Sequence, residues 1–292
     1  MRAALTPLHL VLTLAVVAVW GTNFVVIKWG LDELPPFTFA ALRYFFCAIP
    51  FVFFLRRPPV PWRWLSLYGV FLGAQFALLF YAMRADISPG LASLVIQTQV
   101  FFTIGLSMWL FGEKVSGIAA LGTLLAAAGL GVIAMNLDAT VTLKGIVVVV
   151  CGAFAWACAN IVVKQAARAG VKFDMLSFVA WASLFAVPPL ALMVLVFEGA
   201  APALDAMRAA SPGAWASVAW QVIGNTLFGY VAWSRLLTRY DAAVIAPFAL
   251  LIPVFGMGAS ALFLNEPVTA WKLVAGALVL GGITLIILRT QR

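Results

Sequence analysis

Acidic residues, histidine and cysteine are scarce in this sequence: 10 Asp and Glu, one His and three Cys in 292 residues. No carboxylate falls near the middle of an apolar stretch, and no His cluster accompanies one. The paired acids or metal-ligand sets that an enzyme acting on lipid phosphates would use are therefore missing, and no cofactor or metal site is expected. Cys47, Cys151 and Cys158 all lie in apolar stretches and form neither a disulfide framework nor a zinc spacing. His9 only opens the first apolar run. A phosphate-cradling glycine loop is absent too, which argues against ATP-driven work by this chain alone. The net charge of +8 comes from basic residues in short loops with no aromatic–basic surface, so nucleic acid is not an expected partner.

Apolar residues dominate instead. They make up 65% of the chain, charged ones 10%, and the mean hydropathy is +1.09. Soluble domains are nearer 45–50% apolar and about 25% charged. The lipid bilayer is the expected solvent. A membrane span takes about 20 mostly apolar residues. Ten such windows fall near 8–29, 36–55, 63–83, 90–111, 115–136, 143–166, 174–197, 213–236, 241–264 and 268–289. All are expected to be helical, because each backbone polar group in lipid needs a partner inside its own segment. The first run is too long for a cleaved signal core and reads as a helix that stays. With the N-terminus inside, 12 Lys and Arg flank the spans on the inner side and five on the outer, Arg43 lying within the second span. That excess places both termini in the cytoplasm.

The sequence also repeats. Trp20 to Lys28, WGTNFVVIK, returns 136 residues later as WACANIVVK, Trp156 to Lys164. Residues 102–129 return at 255–282, with Phe102/Phe255, Gly105/Gly258, Ser107/Ser260, Glu113/Glu266 and Gly129/Gly282 matching. Self-similarity at this scale reads as two copies of one unit. Each copy, 1–137 and 138–292, holds five spans. Five is odd, so the second copy enters the membrane from the opposite side. The expected fold is an all-α integral membrane protein of ten transmembrane helices in two inverted five-helix repeats. Inverted repeats of this kind build secondary transporters with a substrate site between the halves.

Trp20 with Asn23, the early Arg43 of span two, and the joints at Glu113 and Glu266 ahead of glycine-rich spans five and ten carry a family resemblance. The chain resembles EamA-type members of the drug/metabolite transporter superfamily over nearly its whole length. Within them it is most similar to YddG-type exporters of aromatic and other amino acids. The second copy departs from the first, with Trp181 opposite Arg43 and Ala159 opposite Asn23, Asn160 lying alongside. The resemblance implies an inner-membrane, multi-pass exporter of small metabolites working by alternating access. A multidrug or nucleotide-sugar carrier, or a channel, is the alternative.

Polar side chains are costly within a span and usually face a cavity or the protein interior. Asn23, Gln75, Gln97, Asn160 and Asn225 are accordingly candidate substrate-binding residues, their amides suited to a zwitterion; simple interhelical bonding is the competing reading. Trp20, Tyr81, Trp156 and Tyr230 are candidate aromatic walls, against an interfacial aromatic belt. Pro89, Gly90, Pro247 and Pro253 interrupt spans four and nine and are candidate hinges. Arg43, roughly seven residues or about 10 Å into its span, reads as structural. Glu113 and Glu266 read as helix caps. Ala119, Gly122, Ala126 and Gly129 share a face of span five, and Ala275 and Gly282 keep part of it in span ten, which suits close packing. One chain contains both halves, so a monomer suffices and a dimer is possible.

Overall fold

The computed structural model describes residues 6–112, 117–138, 140–240 and 242–290. Glu113 lies outside the described residues. Among the described residues eleven helices follow one another: α1 (Pro7–Glu33), α2 (Pro36–Phe54), α3 (Trp62–Ala85), α4 (Pro89–Phe111), α5 (Gly117–Ala134), α6 (Leu143–Arg168), α7 (Met175–Glu198), α8 (Ala200–Ala209), α9 (212–239), α10 (242–264) and α11 (Ala270–Thr290). Among the described residues there is no β-strand, only isolated bridges near Val141. Seven of the helices are long and apolar enough to cross a bilayer, and the apolar parts of α5 and α11, Ala120–Ala134 and Ala270–Leu285, are shorter. Helix α9 coincides with the eighth expected span. It carries Gln221, Asn225 and Thr226 at its centre and Arg235 and Arg239 near its end, which dilutes its apolar character. The short α8 occupies the loop between α7 and α9.

Local chemistry sets the helix starts. Pro7 opens α1, where its missing N–H costs nothing, and the Thr6 hydroxyl accepts from His9 N at 3.3 Å. Thr142, Asp174 and Ser211 cap α6, α7 and α9 in the same way. Irregular turns fall inside several helices. Helix α2 breaks at Ile49–Pro50, and α7 contains Pro188 and Pro189 and ends in a π-helical turn. In α4 the α-geometry gives way to a 3₁₀ turn at Ile96–Thr98, and in α10 to one at Ala246–Leu250. Pro247 stands in the second of these. Pro89 and Gly90 instead form the first turn of α4, so the irregularity of that helix lies further along than the proline suggested.

Helix α3 packs between α6 and α7, α1 lies along α10, and α2 lies along α7. The second half of α4 packs on α6. Every residue of Pro89–Thr98 is buried, whereas in Gln99–Phe111 only Ser107 is. Helix α5 packs chiefly on α11. Small residues make that contact possible: a Cβ on Gly282 would strike the Gly122 carbonyl, and one on Gly129 would lie 3.0 Å from the Ala275 carbonyl. Large apolar side chains such as Phe53, Trp109, Leu124 and Leu262 cover the outside, as a bilayer requires.

Carboxylates stitch the helices together at one end of the bundle. Glu33, closing α1, accepts from the Ser211 backbone and hydroxyl at the start of α9, both at 2.6 Å. Glu198, closing α7, accepts from Phe37 N, Thr38 N and the Thr38 hydroxyl at 2.7, 2.9 and 2.6 Å. Glu266 accepts from Gly90 N at 3.0 Å and the Ser88 hydroxyl at 2.5 Å, and pairs with Lys272 at 2.9 Å. Asp86 meets the start of α6 through Thr142 and Lys144. Glu266 is thus a cap, but of α4 rather than of the helix that follows it. The Arg84 guanidinium adds bonds to the Leu31 and Leu34 carbonyls. Beside this network the Thr140 hydroxyl and N–H donate to Asp138 and hold its carboxyl below the usual range. Negative charge at a helix N-terminus is favoured by the free N–H groups and the helix dipole, so each acid locks one helix start to another helix end.

Two substitutions test this packing. Gly282→Leu forces α5 and α11 apart and is expected to cost about 1–3 kcal/mol, read as a lower unfolding midpoint in detergent. Gly131→Leu, where a Cβ meets nothing within 4 Å, is expected to leave the midpoint alone. Glu266→Gln strands Lys272, whose side chain is 2% exposed, at a cost of about 3–5 kcal/mol. Adding Lys272→Met should recover part of that loss; equal midpoints for wild type and Glu266→Gln would remove the cap.

Candidate functional site

Three helices bring polar side chains together in the interior, and a fourth lays an aromatic ring against them. Asn23 of α1 and Gln221 of α9 exchange amide bonds, Gln221 Nε2 to Asn23 Oδ1 at 2.6 Å and Asn23 Nδ2 to Gln221 Oε1 at 3.4 Å. Arg43 of α2 donates from Nη1 to the same Gln221 Oε1 at 2.5 Å and from Nη2 to the Thr226 hydroxyl at 3.3 Å. With its amide oxygen turned toward Arg43, Asn225 accepts from Nη2 at 2.9 Å and Nη1 at 3.2 Å. Arg43 is 1% exposed and Gln221 0%. The guanidinium lies over the Phe76 ring of α3, 3.6 Å from its centroid, with Tyr44 at 5.5 Å. Among the described residues no carboxylate lies within ion-pairing distance of it.

An irregular turn positions α9 for this. Residues Gln221–Phe228 form a π-helical stretch, and the Thr226 hydroxyl donates to the Gln221 carbonyl at 2.8 Å. The widened turn lets Gln221, Asn225 and Thr226 face one neighbour together. Such turns recur at functional sites. Aromatic rings close the cluster. The Trp20 indole N–H donates to the Asn225 carbonyl at 3.1 Å, and its ring sits 6.2 Å from Tyr230 and 5.1 Å from Trp233. A Cβ on Gly229 would strike Trp20, so glycine there admits the indole.

A second polar group joins α4 and α6. Asn160 donates to Gln99 at 2.9 Å and to the Thr103 hydroxyl at 3.4 Å, and Lys164 donates to Ser107 at 3.0 Å. Gln99, Thr103, Asn160 and Lys164 are half-buried, unlike the sealed residues around Arg43.

The expected site residues therefore divide. Trp20, Asn23, Asn225 and Tyr230 meet around Arg43, which the sequence placed among structural residues. Asn160 belongs to the second group. Gln75 is buried on α3 with its amide oxygen unpartnered, and Gln97 is buried in the 3₁₀ turn of α4. Trp156 is half-buried on α6 against the core. Tyr81 lies elsewhere. It stacks on Phe37 at 5.8 Å with Lys144 above its ring, at the stitched end of the bundle. Nothing in the residues themselves singles out Gln221 as the hub or sets Tyr44 and Tyr68 beside the charge. Being polar and mid-span marked Gln221, but only the fold shows that three residues share it. Among the described residues no three His, Cys, Asp or Glu side chains group as metal ligands would.

The model of the EamA-like transporter family matches this chain twice, at residues 8–135 and 143–288. A probable amino-acid metabolite efflux pump of Escherichia coli strain K12 is 38% identical over 94% of this chain and 92% of its own. A probable amino-acid metabolite efflux pump of Salmonella typhimurium is 36% identical over 93% and 92%. A protein crystal structure at 19% identity covers 97% of this chain and 98% of its own with a TM-score of 0.64, which extends the likeness to the fold. With its interior lined by amides and aromatics and both halves matched, this chain belongs to the EamA-like transporter family.

Proposed function

We propose that this chain exports small amphipathic metabolites, amino acids above all, from the cytoplasm across the inner membrane. The observation that carries the reading is the buried group of amides, aromatic rings and one arginine where α1, α2, α3 and α9 meet. Amides and a guanidinium suit the charged end of a zwitterion, and Trp20, Tyr230 and Phe76 suit an apolar side chain. The two efflux-pump relatives at 36–38% identity support the same substrate class.

In this reading ten of the helices cross the membrane as two inverted five-helix repeats, residues 1–137 and 138–292, with both termini cytoplasmic. Support comes from the double family match and from contacts that repeat between the halves: α1 with α10, and its counterpart α6 with α4. The carboxylate-stitched end is then the outer face, closed here, while α4 beyond its 3₁₀ turn runs along α6 toward the cytoplasm with only Ser107 buried. Alternating access consists of releasing the outer caps and closing the inner half of α4 on α1 and α10. Bending at Ile96–Thr98 and Ala246–Leu250 accommodates the change, with Pro247 in the second hinge and Pro253 in the first turn of helix beyond it. A single chain contains the complete path.

Purified protein in liposomes, loaded with one amino acid and offered labelled external amino acids across a panel, tests this. The expected result is saturable counterflow of neutral, chiefly aromatic, amino acids that stops when the internal load is omitted. Flux without saturation or counterflow would mark a channel, and no flux of any amino acid would refute the substrate class.

A further inference from the structure

Arg43 has a task that interhelical bonding does not fill. Arginine keeps its charge throughout the physiological range. Placing that charge in a membrane interior is costly unless something neutralises it. Here the partners are all neutral: one amide oxygen from Gln221, one from Asn225 and the Thr226 hydroxyl. The remaining donor, Arg43 Nε, is buried with no acceptor at all. Nη2, on the same edge of the guanidinium, is shared between two neutral acceptors, the Thr226 hydroxyl at 3.3 Å and the Asn225 amide oxygen at 2.9 Å. An Nε–Nη edge is the one that grips a carboxylate through two parallel bonds.

We infer that Arg43 is the anion subsite of the transport path, and that it binds the carboxylate of an exported monocarboxylate or amino acid. Gln221 Oε1, which takes both Asn23 and Arg43 bonds at once, stands in for that carboxylate while the site is empty. Arrival of the substrate releases Gln221 to Asn23 and supplies the missing negative charge. The mechanism makes the free acid the transported form and leaves the aromatic rings of Trp20 and Phe76 to select the side chain. This inference rests on the exporter reading for its biological role but not for the binding itself.

Two measurements on the full-length protein separate the claims. In detergent, benzoate is titrated while the unfolding midpoint is followed, with benzamide as the uncharged control. The wild type should be stabilised by benzoate and not by benzamide; Arg43→Gln should lose the benzoate response, and Arg43→Lys should keep part of it. In liposomes, unlabelled phenylalanine should compete with labelled phenylalanine at least about tenfold better than phenylalaninamide, the scale expected when a charged hydrogen-bonded contact is lost. The competition uses the wild type alone, so a variant that fails to fold does not spare the proposal. Equal effects of acid and amide in both assays overturn the anion subsite while leaving the exporter standing. Benzoate stabilisation without amino-acid transport keeps the subsite and removes the exporter. Failure of both assays removes both.

Discussion

A bilayer offers no water to a stranded polar group, and the interior of this protein is organised around that fact. Arg43 is the extreme case. Its charge is spread over Gln221, Thr226, Asn225 and the face of Phe76, drawn from α3 and α9 to meet α2. Each of those partners is held in turn: Gln221 by Asn23, Thr226 by the Gln221 carbonyl, and the Asn225 backbone by Trp20. Four helices are thereby fixed to one another near a single charge. The π-helical stretch of α9 follows from the same demand, because a regular helix, at about 100° per residue, would turn Thr226 away from the face that Gln221 and Asn225 share.

The bundle ends are ruled by a related constraint. A helix start leaves N–H groups without partners, and at one end acids from other helices supply them. Glu33, Glu198, Glu266 and Asp86 each tie a start to a distant segment. These bonds are charge-assisted, and they range from the exposed Glu33–Ser211 contact to the buried Glu266–Lys272 pair. At the opposite end the described ties include the His9–Tyr240 bond at 2.7 Å and Trp181 on the Leu55 carbonyl at 3.0 Å.

Much of this was legible in the residues. Hydropathy marked every long helix, because the length of an apolar run is set by bilayer thickness. The repeat that the family model matches twice was readable from Trp20/Trp156 and Glu113/Glu266, and small residues marked faces of α5 and α11 suited to close packing without showing that the two pack on each other. Asn23 and Asn225 stood out as amides where lipid would not tolerate them. Partnerships between segments distant in sequence were not readable. Glu266 precedes one helix and caps another; Tyr81 shares its residue type with Tyr230 but lies at the bundle end. Arg43 read as a structural residue, and its burial depends on the packing of α3 and α9 around it. Pro188 and Pro189 passed unremarked, since an apolar run that contains them keeps its hydropathy.

The central claim is that one unit was copied and inserted upside down around a shared interior. Single cysteines in the loops, in a background lacking Cys47, Cys151 and Cys158, probed in intact cells with a membrane-impermeant thiol reagent, test it most directly. The inverted arrangement predicts labelling from outside at residues 136–142 and 200–211, and none at 56–61 or 169–174 until the membrane is opened. Labelling of 136–142 only after opening would place the second copy parallel to the first and contradict the account.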